Sequence, residues 1–215
     1  MEKISFVTSD GVTIAADLYK ADGKQFALLL HMMPSNKEGW NAFAMKLVEA
    51  GYTCLAIDMR GHGESTMNGT LDYHTFTNEQ HQAKRLDAEA AFAYLQTLGA
   101  TEEHMVLIGG SIGSNLAINF LAQHPVIKKA VALSPSLDYH GVKTAESIKH
   151  LGDGQKLLIV TSDNDSESHN DSQQMQAMNA DHVDLINLSG AGHAEHMLAN
   201  RPSLTGEIID WLAKS

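Results

Sequence analysis

The sequence predicts an α/β domain built on a mostly parallel sheet with helices on both faces. Three observations predict it. Short apolar runs alternate with amphipathic windows of helical period along nearly the whole chain. Several runs, such as FALLLHM from Phe26 to Met32, are continuously apolar, as a strand buried on both faces requires. The first two runs are instead joined by Asp10-Gly11, a tight-turn dipeptide, and so open the fold with a hairpin.

The elements follow in order. KISFVTS and TIAADLYK flank the Asp10-Gly11 turn as paired strands. FALLLHM is the next strand. GWNAFAMKLVEAG reads as a helix with Gly51 just past its end. YTCLAIDM is a buried strand that carries the single cysteine, Cys54, as a small core residue. NEQHQAKRLDAEAAFAYLQTLG reads as one helix with an apolar face at Leu86, Ala90, Ala93 and Tyr94. HMVLIG is a strand and SNLAINFLAQH a helix halted before Pro125. IKKAVALS and KLLIVTS are strands, and SQQMQAMNAD is a short helix with Asp171 as its cap. VDLINLS is the last strand, and TGEIIDWLAK the terminal helix with Thr205 as its cap. Nothing in this run reads as a linker or a repeat, so residues 1–215 are expected to form one domain.

Composition bounds the partners. The chain has 215 residues, 15 Lys and Arg against 26 Asp and Glu, and a formal charge of −11. That balance repels phosphate backbones, and no basic cluster offsets it locally, so no nucleic-acid partner is expected. No apolar run approaches the roughly 18 residues that span a bilayer. The opening MEKISFVTSDG has no basic start followed by an apolar segment. The expectation is a cytoplasmic protein with no membrane association. Oligomeric state is left open.

One stretch concentrates the chemistry. In MVLIGGSIGSNLAIN, a strand stops at two glycines, a serine follows, and a helix begins after one more glycine. Gly109-Gly110-Ser111-Ile112-Gly113 matches G-x-S-x-G between strand and helix, the setting of a nucleophile elbow. Such a turn exposes the serine hydroxyl, and the crowded backbone requires small residues two before and two after. The amide of Ile112 opens the helix, where it can face a developing oxyanion. A dinucleotide or P-loop reading fails, because G-x-G-x-x-G and the P-loop lysine are both absent.

A serine hydroxyl needs a base, and the base needs an orienting acid. On this architecture they should follow in the order Ser, Asp, His at carboxyl ends of strands. The loop after KLLIVTS offers Asp163, Asp165 and Asp171. Asp165 is preferred as the acid, because Asp163 comes straight off the strand and is better placed to hold its end. The loop after VDLINLS reads Gly190-Ala191-Gly192-His193, and His193 is the base. His193, Glu195 and His196 could suggest a metal site. Their spacing is not that of a helical zinc motif and no cysteine lies near, so no metal and no cofactor is expected.

These residues resemble the α/β-hydrolase family over nearly the whole chain. SDGVTIAADLY is similar to its opening hairpin, IDMRGHGES to its D-x-R-G-H-G-x-S segment, SDNDS to its acid loop and GAGH to its histidine loop. VALSPSLDYHGV is similar to small bacterial members without a large lid. The resemblance implies an eight-stranded sheet, antiparallel at its start and parallel thereafter. It also implies a second oxyanion amide after the third strand, at Met33. Many members have His-Gly there; here His31-Met32-Met33-Pro34 puts Met32 in the glycine position, and Pro34 has no amide hydrogen. Asp58, Arg60, His62 and Glu64 are expected to hold their own glycine-rich loop rather than touch substrate.

The resulting expectation is a serine hydrolase cleaving carboxylic esters of small molecules through Ser111, His193 and Asp165. The amides of Met33 and Ile112 would stabilise the oxyanion. The same triad also serves thioesters, amides, acyl transfer and perhydrolysis. From a different class, a non-catalytic binding protein on the same fold is the alternative. Only about ten residues, SPSLDYHGVK, are free to roof the site, so short acyl groups of about two to six carbons are expected, because a methylene gains ~0.8 kcal/mol only where a wall buries it.

Overall fold

In the computed structural model, which describes residues 1–214, the hairpin at the start forms as the turn chemistry predicts. Strands β1 (Glu2–Val7) and β2 (Thr13–Tyr19) pair antiparallel, with Gly11 at φ +85° in the turn between them. Then come β3 (Gln25–Leu30), β4 (Tyr52–Ile57), β5 (Met105–Gly110), β6 (Lys129–Leu133), β7 (Lys156–Ser162) and β8 (Val183–Leu188). The eight form one sheet in the order β1-β2-β4-β3-β5-β6-β7-β8. Pairings β1–β2 and β2–β4 are antiparallel and the other five parallel. This is the α/β-hydrolase fold.

Alternate residues of the central strands go to opposite faces, as the period of two dictates. Phe26, Leu28 and Leu30 of β3 join one core, and Ala27 and Leu29 the other. The first core is covered by α3 (Arg85–Thr97), α4 (Ile112–Gln123), α5 (Ala145–Lys149) and α6 (Ser166–Met178). The second is covered by α1 (Asn41–Glu49), α7 (His196–Asn200) and α8 (Ser203–Ala213). Both faces are thus closed, which is why β3, β4, β5 and β7 read as unbroken apolar runs.

The strand order sets the site. β3 has β4 on one side and β5 on the other, so the chain winds outward in both directions from this pair. At such a switch point the loops leaving the carboxyl ends diverge and open a crevice. Leu30, the last residue of β3, is paired with Gly109 of β5, so the loops starting at His31 and Ser111 leave side by side.

Four local expectations change. The helix expected over residues 78–99 is two helices, α2 (Asn78–Gln82) and α3, separated by a tight turn at Ala83-Lys84. There the amides of Lys84, Leu86 and Asp87 donate to the carbonyls three residues back, and this overwinding sends Lys84 and Asp87 inward together. As a result the buried face of α3 is Ala88, Ala91, Phe92 and Leu95, not Leu86, Ala90, Ala93 and Tyr94. Helix α6 begins at Ser166, so Asp171 lies within it, accepting from the Leu137 amide at 2.8 Å rather than capping. Helix α8 begins at Ser203, which places Thr205 inside the first turn; Ser203 instead bonds Glu207 at 3.0 Å. The stretch expected to form any roof holds a two-stranded ribbon, Asp138–Tyr139 against Val142–Lys143.

Candidate active site

The sharp turn between β5 and α4 is present. Ser111 sits at φ 51°, ψ −119°, a positive-φ conformation that a non-glycine residue adopts only under constraint. The constraint comes from both sides. Its amide donates to the Leu133 carbonyl at 2.9 Å, continuing the ladder to β6. Its carbonyl already accepts from Ser114 and Asn115 as the first turn of α4. The small flanking residues are obligatory. A Cβ on Gly109 would lie 2.1 Å from the Gly113 carbonyl oxygen, and one on Gly113 2.2 Å from that of Leu30.

His193 Nδ1 lies 2.6 Å from Asp165 Oδ2. The carboxylate can only accept, so Nδ1 carries the hydrogen, and in the neutral ring that leaves the lone pair on Nε2. Asp165 stands at the head of α6, where the chain leaves β7. Asp163 does different work: it accepts from Ser189 Oγ at 2.7 Å and from the Gly190 amide at 2.8 Å. Those bonds hold its carboxyl below the usual carboxylate range.

The histidine loop is fastened residue by residue. Beyond the two bonds to Asp163, the Ala191 amide donates to Ser162 Oγ and the Gly192 amide to Asn164 Oδ1. His193 holds Asp165, and the Ala194 amide donates to Ser134 Oγ at 2.9 Å. Glu195 Oε1 then accepts from the Met32 amide at 2.6 Å. Every one of the seven residues from Ser189 to Glu195 is therefore bonded to the acid loop at residues 162–165, to Ser134 or to Met32.

The segment after β3 is shaped by buried polar groups. His31 Nδ1 donates to the Met32 carbonyl at 2.8 Å, and its Nε2 accepts from the Met59 amide at 3.0 Å. Burial pushes His31 down to about 4, so it is neutral, as this donor–acceptor pattern requires. The Ser35 amide also donates to the Met32 carbonyl, at 2.9 Å. Since a peptide unit is planar, pinning that carbonyl fixes the Met33 N–H in the opposite direction. Met32 has no positive φ, so this backbone does not need the family's glycine. Met33 borders the same cavity as Ser111, Asp165 and His193, a recess of about 110 Å³. A larger cleft of about 250 Å³ between α3, α4 and the ribbon contains none of these residues. Ile112 is fully buried; its amide, at the first position of α4, has no partner within the helix.

The loop of Asp58, Arg60, His62 and Glu64 is bonded inward. Asp58 accepts from the Lys37 amide and ammonium and from the Glu64 amide, each at 2.8 Å. Arg60 binds Asp87 and Asp10. Among the described residues no group of three His, Cys, Asp or Glu side chains is placed to hold a metal ion. In particular, Glu195 turns inward while His196 faces solvent.

Two groups were not visible in sequence. Glu195 is buried behind the elbow, and burial pushes its carboxyl up to about 7. Lys84 is fully buried, with its ammonium on His62 Nε2 at 3.2 Å, His81 Nδ1 at 3.1 Å and Met33 Sδ at 3.4 Å. Burial pushes His62 down to about 2 and His81 to about 4, so both accept as neutral rings. Neither signal was available locally, because Lys84 lies in an apparently continuous helix and Glu195 in a loop already accounted for by His193.

Known proteins resemble this chain in sequence and in fold. The sequence profile described as serine aminopeptidase, S33, matches residues 23–194. Monoacylglycerol lipase abhd6-B of Xenopus laevis is 26% identical over 149 residues, covering 66% of this chain and 41% of that protein. A non-heme haloperoxidase of Rhodococcus erythropolis is 31% identical over 163 residues, covering 73% of this chain and 54% of that protein. The matched segments thus span only about half the length of these relatives. Among solved structures, the Pyrococcus furiosus esterase Pf2001 superposes with a TM-score of 0.80 at 17% identity, covering 98% of this chain and 91% of that one. With its elbow, its sheet order and a profile match over most of its length, the chain belongs to the serine aminopeptidase S33 family of α/β-hydrolases.

Proposed function

We propose that the protein hydrolyses carboxylic esters of small molecules, with Ser111 as nucleophile, His193 as base and Asp165 as the orienting acid. The observation that carries this reading is the shared recess: Ser111, in its constrained turn, borders the cavity that also holds His193 bound to Asp165. Ser111 Oγ attacks the ester carbonyl while His193 Nε2 takes its proton. The C–O bond to the alcohol breaks as that proton passes to the leaving oxygen. Water then adds to the acyl-enzyme by the same route, releasing acid and restoring Ser111. Asp165 holds the imidazole tautomer and stabilises its cation. The Ile112 and Met33 amides are the oxyanion donors, each contributing about 3 kcal/mol to the transition state.

The chemistry needs no group beyond these side chains and water. We read the described residues as one catalytic domain, since a single sheet carries every one of the named positions. No helix among the described residues is long and apolar enough to cross a membrane. The relative named as a monoacylglycerol lipase supports ester chemistry, and the one named as a haloperoxidase is the reason the substrate panel below extends beyond esters.

The test is covalent labelling by a fluorophosphonate, followed by rates on a panel of esters, thioesters and amides. Labelling at Ser111 with ester turnover is expected, and Ser111→Ala should abolish both, with activity falling by several orders of magnitude. An unlabelled Ser111, or a Ser111→Ala protein keeping a tenth of the activity, would overturn the assignment.

A further inference from the structure

Two lysines are buried in this protein, and their surroundings differ. Lys37 lies on two carboxylates, Asp58 at 2.8 Å and Glu64 at 2.6 Å. Lys84 is fully buried, and its three partners are all neutral: His62 Nε2 at 3.2 Å, His81 Nδ1 at 3.1 Å and Met33 Sδ at 3.4 Å. His62 Nδ1 donates to the Ser35 carbonyl, so its Nε2 can only accept. Three acceptors thus converge on one nitrogen, and an ammonium has the three hydrogens to satisfy them. A buried cation without a carboxylate is costly, and an apolar side chain of the same length would fill the space with less penalty. Packing alone does not account for a lysine here.

The third partner connects this cluster to the chemistry. Met33 is half-buried against the first core and borders the recess beside Ser111. Its amide is directed by the pinned Met32 carbonyl, but its side chain needs a separate anchor. A methionine side chain turns about three bonds and adapts to whatever lies beside it. The contact with Lys84 removes that freedom. The two imidazoles are themselves held: His62 stacks on Tyr73 with ring centres 3.9 Å apart, and His81 on His140 of the ribbon at 4.1 Å.

Resting on the ester-hydrolase reading, we propose that Lys84 is a positioning residue for substrate binding: its ammonium anchors the Met33 thioether, and the anchored side chain is a wall against which the ester packs. The anchor depends on a proton. A neutral amine has two hydrogens for three acceptors, and the thioether, the weakest acceptor, is the one released. Burial pushes Lys84 down to about 7, so the anchor is present below that value and lost as pH rises through it. The surrounding imidazoles His31, His62 and His81 are neutral above about 4. His140 stands behind His81, and the Asp87 carboxyl, pushed up to about 6 by burial, is bonded to Arg60. Glu195, on the neighbouring Met32 amide, is the one other group with a value of about 7 on this segment.

The test is KM and kcat for p-nitrophenyl butyrate between pH 6 and pH 9. In the wild type KM should rise by about fivefold or more across this range, the loss expected when one or two methylenes no longer meet a wall. Lys84→Met fills the space without a charge, so its KM should already be raised at pH 6 and stay level. At each pH its kcat should remain within about threefold of wild type, because the backbone holds the oxyanion amides. Met33→Leu keeps the volume and removes the sulfur; it should show the same level KM, and the double variant should be no worse than either single one. Glu195→Gln should keep the rise. Equal KM for wild type and Lys84→Met at pH 6 overturns the proposal, as does a rise that survives in Lys84→Met or vanishes in Glu195→Gln. Additive losses in the double variant, or a fall in kcat with KM unchanged, also overturn it. If Lys84→Met does not fold, wild type and Met33→Leu decide: a rise in the first that is absent from the second supports the anchor, and any other result overturns it. Failure of the underlying reading looks different: a wild type that neither labels at Ser111 nor turns over the ester at any pH.

Discussion

The carboxylate of Glu195 occupies the space a side chain on residue 110 would need: a Cβ on Gly110 would lie 2.4 Å from Glu195 Oε2. The same carboxylate accepts from the Met32 amide, so one buried group braces both the elbow and the segment proposed to supply an oxyanion donor. Gly110→Ala should therefore lower kcat sharply by displacing Glu195. Glu195→Ala should leave the Met32 amide unpaired, at a cost of about 1–3 kcal/mol in stability. In the double variant the alanine at 110 finds room, so the combined loss should be smaller than the sum of the two, measured by urea unfolding and by kcat. Strict additivity would show that the two positions do not compete for space.

Glu195 also predicts a pH dependence of stability. Its Oε2 is buried without a partner, and its folded value of about 7 lies above the ordinary 4.5. The folded protein therefore holds this proton more tightly than the unfolded chain does. The contribution is fully present below the unfolded value and is lost as pH rises through about 7. Glu195→Gln keeps an acceptor for the Met32 amide but cannot ionise. Relative to wild type it should gain stability between pH 5 and pH 8, in unfolding curves recorded at both. An unchanged difference would mean that Glu195 is not protonated in the folded state.

The two aspartates of the acid loop should separate by function. Asp165→Asn removes the acceptor that fixes the His193 tautomer, and activity should fall by as much as ~10⁴-fold. Asp163→Asn loosens an exposed pair of bonds to Ser189 and Gly190, and the loss should stay within about tenfold. The reverse order in kcat would exchange their roles.

Acyl length supplies a further measurement. The ribbon is short, and Tyr139 is its one residue at the recess. Rates on p-nitrophenyl esters should peak at about four carbons or fewer and fall by eight, since added methylenes gain their ~0.8 kcal/mol only against a wall. A steady rise to twelve carbons would reveal an acyl tunnel.

Much of this site was legible because its signals are local. The elbow is five consecutive residues, and its flanking Gly109 and Gly113 are dictated by backbone contacts within 2.2 Å. The acid and histidine loops declare themselves by following buried strands. Asp165 over Asp163 could be preferred from position alone, because the residue leaving the strand stays with the strand. What the sequence concealed depends on contacts between distant segments. The split between α2 and α3 follows from where Lys84 points, and helical period is blind to a lysine that goes inside. Glu195 meets Met32 across 163 residues of chain, so neither gives any sign of the other. Ser134 and Ser136 border the recess from one loop and Ser168 from α6, and serine is too common on surfaces to mark a pocket.

The residue-by-residue fastening from Ser189 to Glu195 has a consequence for how this scaffold can diversify. An inserted or deleted residue in that loop would put every bond after it out of step, and His193 would lose Asp165 along with the rest. The ribbon carries no such registration with the histidine, and its turn at His140-Gly141 packs against α2, where His140 stacks on His81. Length variation is therefore tolerable at the ribbon and forbidden at the histidine loop. Grafting a longer hairpin at residues 139–142 is therefore the way to deepen the recess while leaving His193 on Asp165.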